Sequence, residues 1–447
     1  MRPLSSQQRF PLPASLFPPP ASRLIAALLI LAAPVGAQGL SRFDRSRGFA
    51  MLDGVRDDIM KNYFDSAYGG VDIKAVFDSA RARIDRADRL EQVLGAIAQA
   101  TLELNDSHTA FIPPALIYRA EYGWDMRFVG DTCRVLSVVP GSDAEAKGMH
   151  AGDALLAVGG IPLTRRNLWH LRYAINGIQP RPGLRVSLQP PGGTSRDVAI
   201  AAKVKERRHI VDPTNSFDFL ELIREGENAW EVSAPRYADV VDRVIVSRPR
   251  QFYGYTSWID DLMKHARNRE AIVLDLRGNL GGSVSTLLRL IGQFYEKDLV
   301  VLTELGRNNP KEVIAKGAGR DRYQGALVVL VDAESASASE ILARTLQLTG
   351  RGKVIGDRTA GAVRESRGFF HQIGTQTVVA YGTSVTIADL TMPDGGKLEN
   401  TGVVPDYVVL PTGEDIAAGN DPALARALTL LGVPFTPKQA GALPGRK

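Results

Sequence analysis

The feature of this sequence that most constrains the fold is a buried strand that runs directly into a helix. The apolar run from Ala326 to Val331 has the length and the β-branched content of a buried strand. A cluster of small residues follows, and apolar residues then recur at helical spacing, so we expect a helix capped by Ser337 or Ser339. Glu340 falls in the first turn of this helix, where a carboxylate suits the positive end of the helix dipole.

A serine at such a junction is a candidate nucleophile. The turn holds its side chain rigidly, turns it toward solvent and places it beside free backbone N–H groups that stabilise an oxyanion. Small residues are also common as helix caps and at close-packing positions. This segment alone therefore leaves both interpretations open.

A second strand-to-helix unit begins at Ala271. Its strand, Ala271–Leu276, is followed by a glycine-rich loop that contains Gly281 and Gly282, and then by a helix from Val284. The loop lacks the Lys-Ser/Thr pair and the glycine spacing of nucleotide-binding motifs, which argues against a nucleotide. Two such units predict neighbouring parallel strands whose loops lie together at the carboxyl ends, where α/β active sites are found.

The rest of the carboxyl-terminal half of the chain shows weaker patterns of secondary structure. Between residues 206 and 268 the sequence predicts only a strand at Val244–Val246 and a helix over Trp258–Ala266, with an aromatic loop at 252–255 between them. Strands are predicted after Gly361, and Pro422 suits the first position of a closing helix.

The amino terminus has the organisation of a secretory signal peptide, residues 1–37. Its apolar run, Leu24–Ala33, is shorter than the roughly 20 residues that span a bilayer. Val35 and Ala37 are small residues placed for cleavage before Gln38. An uncleaved membrane anchor is the alternative; after cleavage we expect no stable membrane span.

The composition excludes several classes of function. Cleavage would remove three arginines and no acidic residue, so the net charge would fall from +5 to +2. No Lys/Arg block is interleaved with aromatic residues, and we expect no nucleic-acid partner. The single cysteine, Cys133, excludes an internal disulfide and a thiol-rich metal site, and we expect neither a metal nor another cofactor. The mature chain of about 410 residues suits two or three domains.

A candidate base follows the first helical region. Apolar residues recur at three- and four-residue steps from Ser41 to about Leu104. The loop after them contains Asp106, Ser107 and His108. A lone histidine is often structural, but this one lies in a loop beside a serine, in a chain that already offers a nucleophile, and is therefore a candidate base.

Residues 124–204 predict strands and turns in an order that resembles a PDZ domain of the bacterial type. The resemblance rests on PGSDA at 140–144 and KGMHAGD at 147–153. It implies that an extended peptide adds to a sheet edge and that a backbone nest holds the peptide's terminal carboxylate. The nest should lie in the loop formed by Tyr122, Gly123, Trp124 and Asp125. A β-domain without peptide affinity is the alternative, because the carboxylate of Asp125 would repel that of a peptide.

Four further motifs resemble those of the tail-specific, or carboxyl-terminal processing, serine proteases. They are DLRGNLGG at 275–282, SASASE at 335–340, GDRTAG at 356–361 and GVVPD at 402–406. The resemblance implies that Ser337 is the nucleophile. It also implies a mixed α/β fold with a helical amino-terminal region (38–115), a PDZ domain (116–205), a ClpP/crotonase-like α/β catalytic core (206–435) and a loose tail (436–447).

The general base is where this chain departs from the better-known branch of that family. That branch uses a lysine at the position of Ala362, and the nearest lysine, Lys353, falls where a strand should begin. The other branch, which includes the core of the tricorn protease, uses a Ser-His pair and a distant glutamate. The matching residues here are Ser107, His108 and Glu399. The resemblance further implies an oxyanion hole made by the amides of Ala338 and of Gly281 or Gly282.

These observations predict an exported serine endopeptidase, periplasmic or extracellular, that acts on polypeptides through their free carboxyl termini. The alternative is a catalytically inactive protein that binds peptides or other ligands through its PDZ domain. Retention of both His108 and Ser337 favours the enzyme. The sequence leaves oligomerisation open.

Overall fold

The computed structural model describes residues 39–116, 118–206, 236–241, 243–252, 256–374 and 378–443. The predicted signal peptide and residues 253–255 of the predicted aromatic loop lie outside the described residues. In the described ranges, no helix combines the length and the apolar composition needed to cross a bilayer.

The amino-terminal region is helical, as predicted. Its helices are α1 (Arg42–Asn62), α2 (Ile73–Arg86) and α3 (Leu90–Leu102). The side chains of Ser41 and Asp72 cap α1 and α2 by accepting hydrogen bonds from N–H groups of their first turns. These helices share one core with the β-rich segment that follows and with Tyr381 and Val385. The core of this helical region is therefore continuous with that of the β-rich segment.

The segment that resembles a PDZ domain is an antiparallel sheet with two short helices. Its elements are β3 (Trp124–Val129), β4 (Thr132–Val138), α4 (Asp143–Ala146), β5 (Ala154–Val158), β6 (Ile161–Pro162), α5 (Leu168–Arg172), β7 (Gly183–Gln189) and β8 (Arg196–Ala201). The strand order is β3-β4-β5-β7-β8, with β6 paired to β5, so β3 is an edge strand. This sheet is preceded by β1 (Ala110–Ile112) and β2 (Tyr118–Glu121), and β2 pairs with β9 (Lys203–Glu206).

The catalytic core predicted from the sequence is built on a six-stranded sheet. Its strands, in spatial order, are β10 (Arg236–Val240), β11 (Val244–Arg248), β12 (Ala271–Asp275), β15 (Ala326–Val331), β16 (Lys353–Gly356) and β19 (Tyr407–Val408). All neighbours are parallel except β10 and β11. Asp275 lies opposite Leu330, so the two strand-to-helix loops leave the same edge of the sheet, as predicted.

Helices cover both faces of this sheet. They are α6 (Ser257–Ala266), α7 (Val284–Gly292), α8 (Ala338–Leu348), α10 (Pro422–Leu430) and α11 (Pro437–Gly441), whereas α9 (Gly413–Ala418) lies against Gly152 of the segment that resembles a PDZ domain. In β15, Leu327 and Val329 pack in the same core as α6, α7 and α8, whereas Val328 and Leu330 pack with α10. The expected loose tail does not hold for residues 436–443: the side chain of Thr436 caps α11, and Ala440 is fully buried.

A second sheet joins the helical region to the core. It comprises β13 (Leu299–Gly306), β14 (Lys311–Ala315), β17 (Arg364–Ile373) and β18 (Val379–Thr391), together with β1. The strand order is β1-β18-β13-β14, and β17 also pairs with β18. Ala110 of β1 lies opposite Ser384 of β18, so the pairing carries the loop before β1, which contains His108, to the core.

Candidate active site

Ser337 lies where β15 passes into α8, as predicted. Its backbone has φ 53° and ψ −119°, a conformation that residues with a side chain rarely adopt. Its N–H lies 2.9 Å from the carbonyl of Ala362 and 3.1 Å from Oε2 of Glu340. The following serine, Ser339, is buried and donates its hydroxyl hydrogen to the carbonyl of Asn279. The surrounding contacts therefore hold Ser337 in a strained turn.

The glycine-rich loop lies against this turn. A Cβ on Gly281 would stand only 2.8 Å from the Ala338 nitrogen and 2.8 Å from the Ser337 Cβ, so the close approach requires glycine. The N–H of Gly281 donates to Asn279 Oδ1 at 2.8 Å. In the described part of the chain, the N–H groups of Gly282 and Ala338 donate no hydrogen bond. Of the two glycines predicted for the oxyanion hole, Gly282 is thus the one with an unused amide.

His108 is the end of a buried relay of hydrogen bonds. The Ser107 hydroxyl lies 2.7 Å from His108 Nδ1 and donates to Glu399 Oε2 at 2.9 Å. The Ser107 N–H also donates to Glu399 Oε1, at 3.2 Å. Side chains 292 residues apart in sequence are therefore in direct contact, and His108 and Glu399 are both buried.

The carboxylate of Asp106 fixes the backbone of this loop. It accepts hydrogen bonds from the N–H groups of His108 at 2.9 Å and Thr109 at 3.1 Å, and from the Thr386 hydroxyl at 2.6 Å. The Tyr63 hydroxyl donates to its other oxygen. Sequence analysis gave Asp106 no role of its own, although an aspartate that bonds backbone N–H groups two and three residues ahead is a common turn former.

Two consecutive residues join the relay to the serine. Ala362 accepts a hydrogen bond from the Ser337 N–H through its carbonyl, and the N–H of Val363 donates to Glu399 Oε2 at 2.7 Å. The structure thus gathers Ser337, Ser107, His108 and Glu399 around one short segment. No hydrogen bond joins the Ser337 hydroxyl to the His108 ring among the described residues.

Sequence analysis missed the part that Glu340 plays at this site. Its side chain is fully buried and accepts hydrogen bonds from the Thr359 hydroxyl at 2.5 Å and from the N–H groups of Gly361 and Ala362 at 2.8 and 2.9 Å, besides that of Ser337. Burial raises the pKa of Glu340 to about 7, despite these donors. The signal was present: a serine followed three residues later by glutamate is the spacing of a helix capping box.

Neither position considered for a lysine base, 362 or 353, places an amine near Ser337. Ala362 contributes only its backbone groups, as described above. Lys353 is exposed and opens β16, opposite Val328, whereas the serine follows the other end of β15 beyond Val331. Three residues of strand, or roughly 10 Å, separate the level of Lys353 from the end of β15 that precedes the loop of Ser337.

The predicted peptide-binding loop lies at the start of the edge strand β3. Tyr122 is buried and its hydroxyl accepts a hydrogen bond from the Arg181 N–H, while its ring packs 5.5 Å from that of Trp124. Gly123 has a positive φ of 82°, and its carbonyl accepts from the N–H of Val139. The Asp125 carboxylate accepts from the N–H of Met126.

Ion pairs connect the sheet of β3 to the loop before Ser337. The guanidinium of Arg127 contacts the carboxylates of Asp332 and Glu334, and that of Arg172 lies 2.5 Å from Glu334. Arg165 makes a similar contact with Asp357, which lies five residues before Ala362. These side chains are largely buried, so each charge needs its partner.

Comparison with known proteins gives a match to one peptidase family. The sequence profile of peptidase family S41 matches residues 250–409, a range that contains Ser337, both glycines and Glu399 but not His108. The tail-specific protease of Haemophilus influenzae is 27% identical over 345 residues, which are 72% of this chain and 46% of that protein. Residues 250–409 therefore resemble peptidase family S41.

Two further proteins are similar to this chain in sequence or in fold. The carboxyl-terminal-processing protease of a Picosynechococcus strain is 28% identical over 282 residues, or 62% of this chain and 61% of that protein. The chain thus spans about half to three fifths of the length of these two relatives. Among solved structures, mature CPAF complexed with lactacystin shares the fold, with a TM-score of 0.62 and 15% identity over 84% of this chain and 96% of that one.

Proposed function

We propose that this chain is a member of peptidase family S41 and an exported serine endopeptidase in which Ser337 is the nucleophile and His108 the general base. The observation that carries the proposal is the Glu399–Ser107–His108 relay, which the backbone of Ala362 and Val363 connects to Ser337. A buried carboxylate, a hydroxyl and an imidazole in this order have the chemistry of a base that is oriented for proton transfer.

The relay determines which nitrogen of His108 is free. Ser107 has one hydroxyl hydrogen, and the ionised carboxylate of Glu399 can only accept it. The hydroxyl oxygen must therefore accept a hydrogen bond from Nδ1–H of His108. This tautomer leaves Nε2 unprotonated, as a general base requires, and the Glu399 charge then stabilises the imidazolium that forms.

Peptide hydrolysis follows from these groups. The Ser337 oxygen attacks the scissile carbonyl carbon while its proton passes to His108 Nε2, and the amides of Gly282 and Ala338 stabilise the oxyanion. The C–N bond then breaks, and the leaving amine takes the proton from His108. Water hydrolyses the acyl-enzyme with His108 again acting as base. Every proton in this cycle is carried by the imidazole, and no lysine is needed at position 362.

The segment that resembles a PDZ domain is proposed to bind the carboxyl end of a flexible polypeptide and deliver it to the site. Two observations support this role. The edge strand β3 can add a peptide strand, and the loop before it has the positive φ at Gly123 that a backbone nest uses. The ion pairs from Arg127 and Arg172 place this sheet next to the loop that carries Ser337.

A fluorophosphonate probe tests the mechanism without knowledge of the substrate, because only an activated serine reacts with it. We expect labelling of the purified chain and its loss in Ser337→Ala. His108→Ala should lower both labelling and peptide turnover by a large factor, on the order of 10³ to 10⁶ in kcat, and the double variant should be scarcely worse. Lys353→Ala is the matched control and should retain activity.

Two outcomes would contradict the proposal. Absence of labelling in the folded wild-type chain would favour the alternative, a binding protein without catalysis. Loss of turnover in Lys353→Ala with retention in His108→Ala would show that the base is a lysine.

A further inference from the structure

We propose that Arg364 is a positioning residue for the reaction. Its guanidinium keeps the carboxyl group of Glu399 ionised, and an ionised Glu399 gives the relay through Ser107 the direction that leaves Nε2 of His108 free. The inference rests on the proposed function, because it assumes that His108 is the general base. Arg364 acts only through Glu399 and takes no part in proton transfer itself.

Arg364 opens β17, directly after the segment that joins the relay to the serine. Val363, the residue before it, donates its N–H to Glu399, and the carbonyl of Ala362 accepts from the N–H of Ser337. The Nε atom of Arg364 lies 3.8 Å from Oε1 of Glu399. In the described part of the chain, this is the only ion pair that Glu399 makes. A buried carboxylate needs an opposite charge nearby, and Arg364 supplies it.

The neighbours of the Arg364 guanidinium hold it in place and leave its charge available. Its Nη1 lies 2.8 Å from Oδ1 of Asp389 on β18, and its Cζ lies 4.8 Å from the centroid of the Phe64 ring. The ammonium of Lys397 lies 2.6 Å from the other oxygen of Asp389. Two cations therefore balance two carboxylates in this cluster, and Asp389 does not use the Arg364 charge alone. The exposed fraction of the Arg364 side chain is 16%, so solvent screens its charge only in part.

Arg364 acts on Glu399 through its charge and not through a hydrogen bond. The Nε atom is buried and has no hydrogen-bond partner among the described residues, and a separation of 3.8 Å is too long for a hydrogen bond. An opposite charge at this distance still favours the ionised form of a carboxyl group. Replacement by lysine, which keeps the charge and loses the planar guanidinium, should therefore preserve most of the effect.

The ionisation of Glu399 decides the direction of the relay. An ionised carboxylate can only accept, so Ser107 donates its hydroxyl hydrogen to Glu399 and accepts from Nδ1–H of His108. A protonated Glu399 would instead donate to the Ser107 oxygen, and Ser107 would donate to Nδ1. The hydrogen of the neutral ring would then lie on Nε2, the nitrogen that has to accept the proton of Ser337. Without an adjacent cation, the relay would thus reverse as the pH falls.

The test is the pH dependence of kcat/KM, and of the rate of fluorophosphonate labelling, in Arg364→Met. This variant removes the charge and keeps an unbranched stem. Loss of an opposite charge at this distance moves the ionisation of a carboxyl group upward by roughly 1–3 pH units. We therefore expect Arg364→Met to be slower than the wild type on the order of 10-fold at about pH 5.5, and to lie within about twofold of it at about pH 8.5. Arg364→Lys should stay within about threefold of the wild type at both pH values.

A second background shows whether Arg364 acts through Glu399. The side chain in Glu399→Gln cannot ionise, so adding Arg364→Met to it should change kcat/KM by less than about twofold at both pH values. Arg367→Met is the matched control, because Arg367 is an exposed arginine three residues further along β17, and it should behave as the wild type does. If Arg364→Met does not fold, Asp389→Asn gives the test with the opposite sign. It leaves Glu399 as the only carboxylate beside Arg364, so its activity relative to the wild type should not fall as the pH is lowered.

Failure of this inference is distinguishable from failure of the proposed function. Suppose that the probe labels Ser337 and that His108→Ala abolishes turnover, but that Arg364→Met has the same effect at every pH or keeps its effect in the Glu399→Gln background. Arg364 then has a structural role only, and the proposed function stands. A relative loss of activity at low pH in Asp389→Asn would also overturn the inference. If Ser337 is not labelled, or His108→Ala retains turnover, the proposed function fails and the role of Arg364 fails with it.

Discussion

Replacement of Ser107 by alanine tests the relay at its middle member. The hydroxyl of Ser107 is the atom through which the carboxylate of Glu399 reaches the ring of His108. Ser107→Ala removes both hydrogen bonds of that hydroxyl and leaves Nδ1 of His108 without its partner. Glu399 keeps its bonds to the N–H groups of Ser107 and Val363, so the carboxylate should stay in place.

The size of the effect follows from what is lost in the transition state. The imidazolium of His108 forms only during proton transfer, and its Nδ1–H then donates to a hydroxyl that is polarised by Glu399. A hydrogen bond to a charged group contributes about 1.5–3 kcal/mol. At about 1.4 kcal/mol for each factor of ten, the loss is roughly 10- to 150-fold in kcat. Ser107→Ala should therefore be much milder than His108→Ala, which removes the base.

Steady-state cleavage of a peptide and the rate of fluorophosphonate labelling measure this effect independently. Ser384→Ala is the matched control, because the Ser384 hydroxyl donates to the backbone carbonyl of His108 at 2.6 Å. We expect kcat and the labelling rate to fall together in Ser107→Ala, with KM nearly unchanged. Ser384→Ala should affect folding stability more than the chemical step.

The reasoning would be refuted by a Ser107→Ala variant that is folded and within twofold of wild-type kcat. It would also be refuted if Ser384→Ala lowered kcat as much as Ser107→Ala does, since the effect would then reflect the position of the loop and not the relay.

Three further predictions concern Glu340, the loop before β3 and the amino terminus. The pKa of Glu340 in the fold is about 7, so its carboxyl group is still protonated at pH values at which the same group in the unfolded chain has ionised. The stability that Glu340 contributes is therefore largest below its ordinary pKa of about 4.3 and falls as the pH rises toward 7. Glu340→Gln cannot titrate, and its Tm should fall less between about pH 5 and 7; an unchanged slope would contradict the shift. A peptide with a free carboxylate should bind Ser337→Ala more tightly in a calorimetric titration than its amidated twin, and equal affinity would exclude the nest at Tyr122–Asp125. Amino-terminal sequencing of protein recovered from the producing cell should begin at or near Gln38, whereas retention of the apolar run before it would indicate an anchor.

Much of the fold was predictable because local pattern and tertiary role agree in the core. The strands at Ala271 and Ala326 are apolar on both faces, as strands covered by helices on both sides must be, and their loops contain the small residues that a tight strand-to-helix turn requires. The strands β13 and β14 were not predicted. These strands are partly exposed, and they form because β13 pairs with β14 and with β18. No local feature of the sequence indicates this pairing.

The sequence by itself determined the candidate nucleophile, since the turn at Ser337 is encoded by its own neighbours, and it determined the absence of a lysine at position 362. Only the tertiary structure decided how the other groups meet. The contact of Ser107 with Glu399 depends on β1 pairing with β18, a long-range interaction with no trace in local periodicity. The hydrogen bonds that Glu340 accepts from Thr359, Gly361 and Ala362 likewise arise only when a distant loop packs against the start of α8. Hydrogen bonds between residues far apart in sequence depend on the geometry of the whole fold, and for that reason the local pattern supplied the participants but not their arrangement.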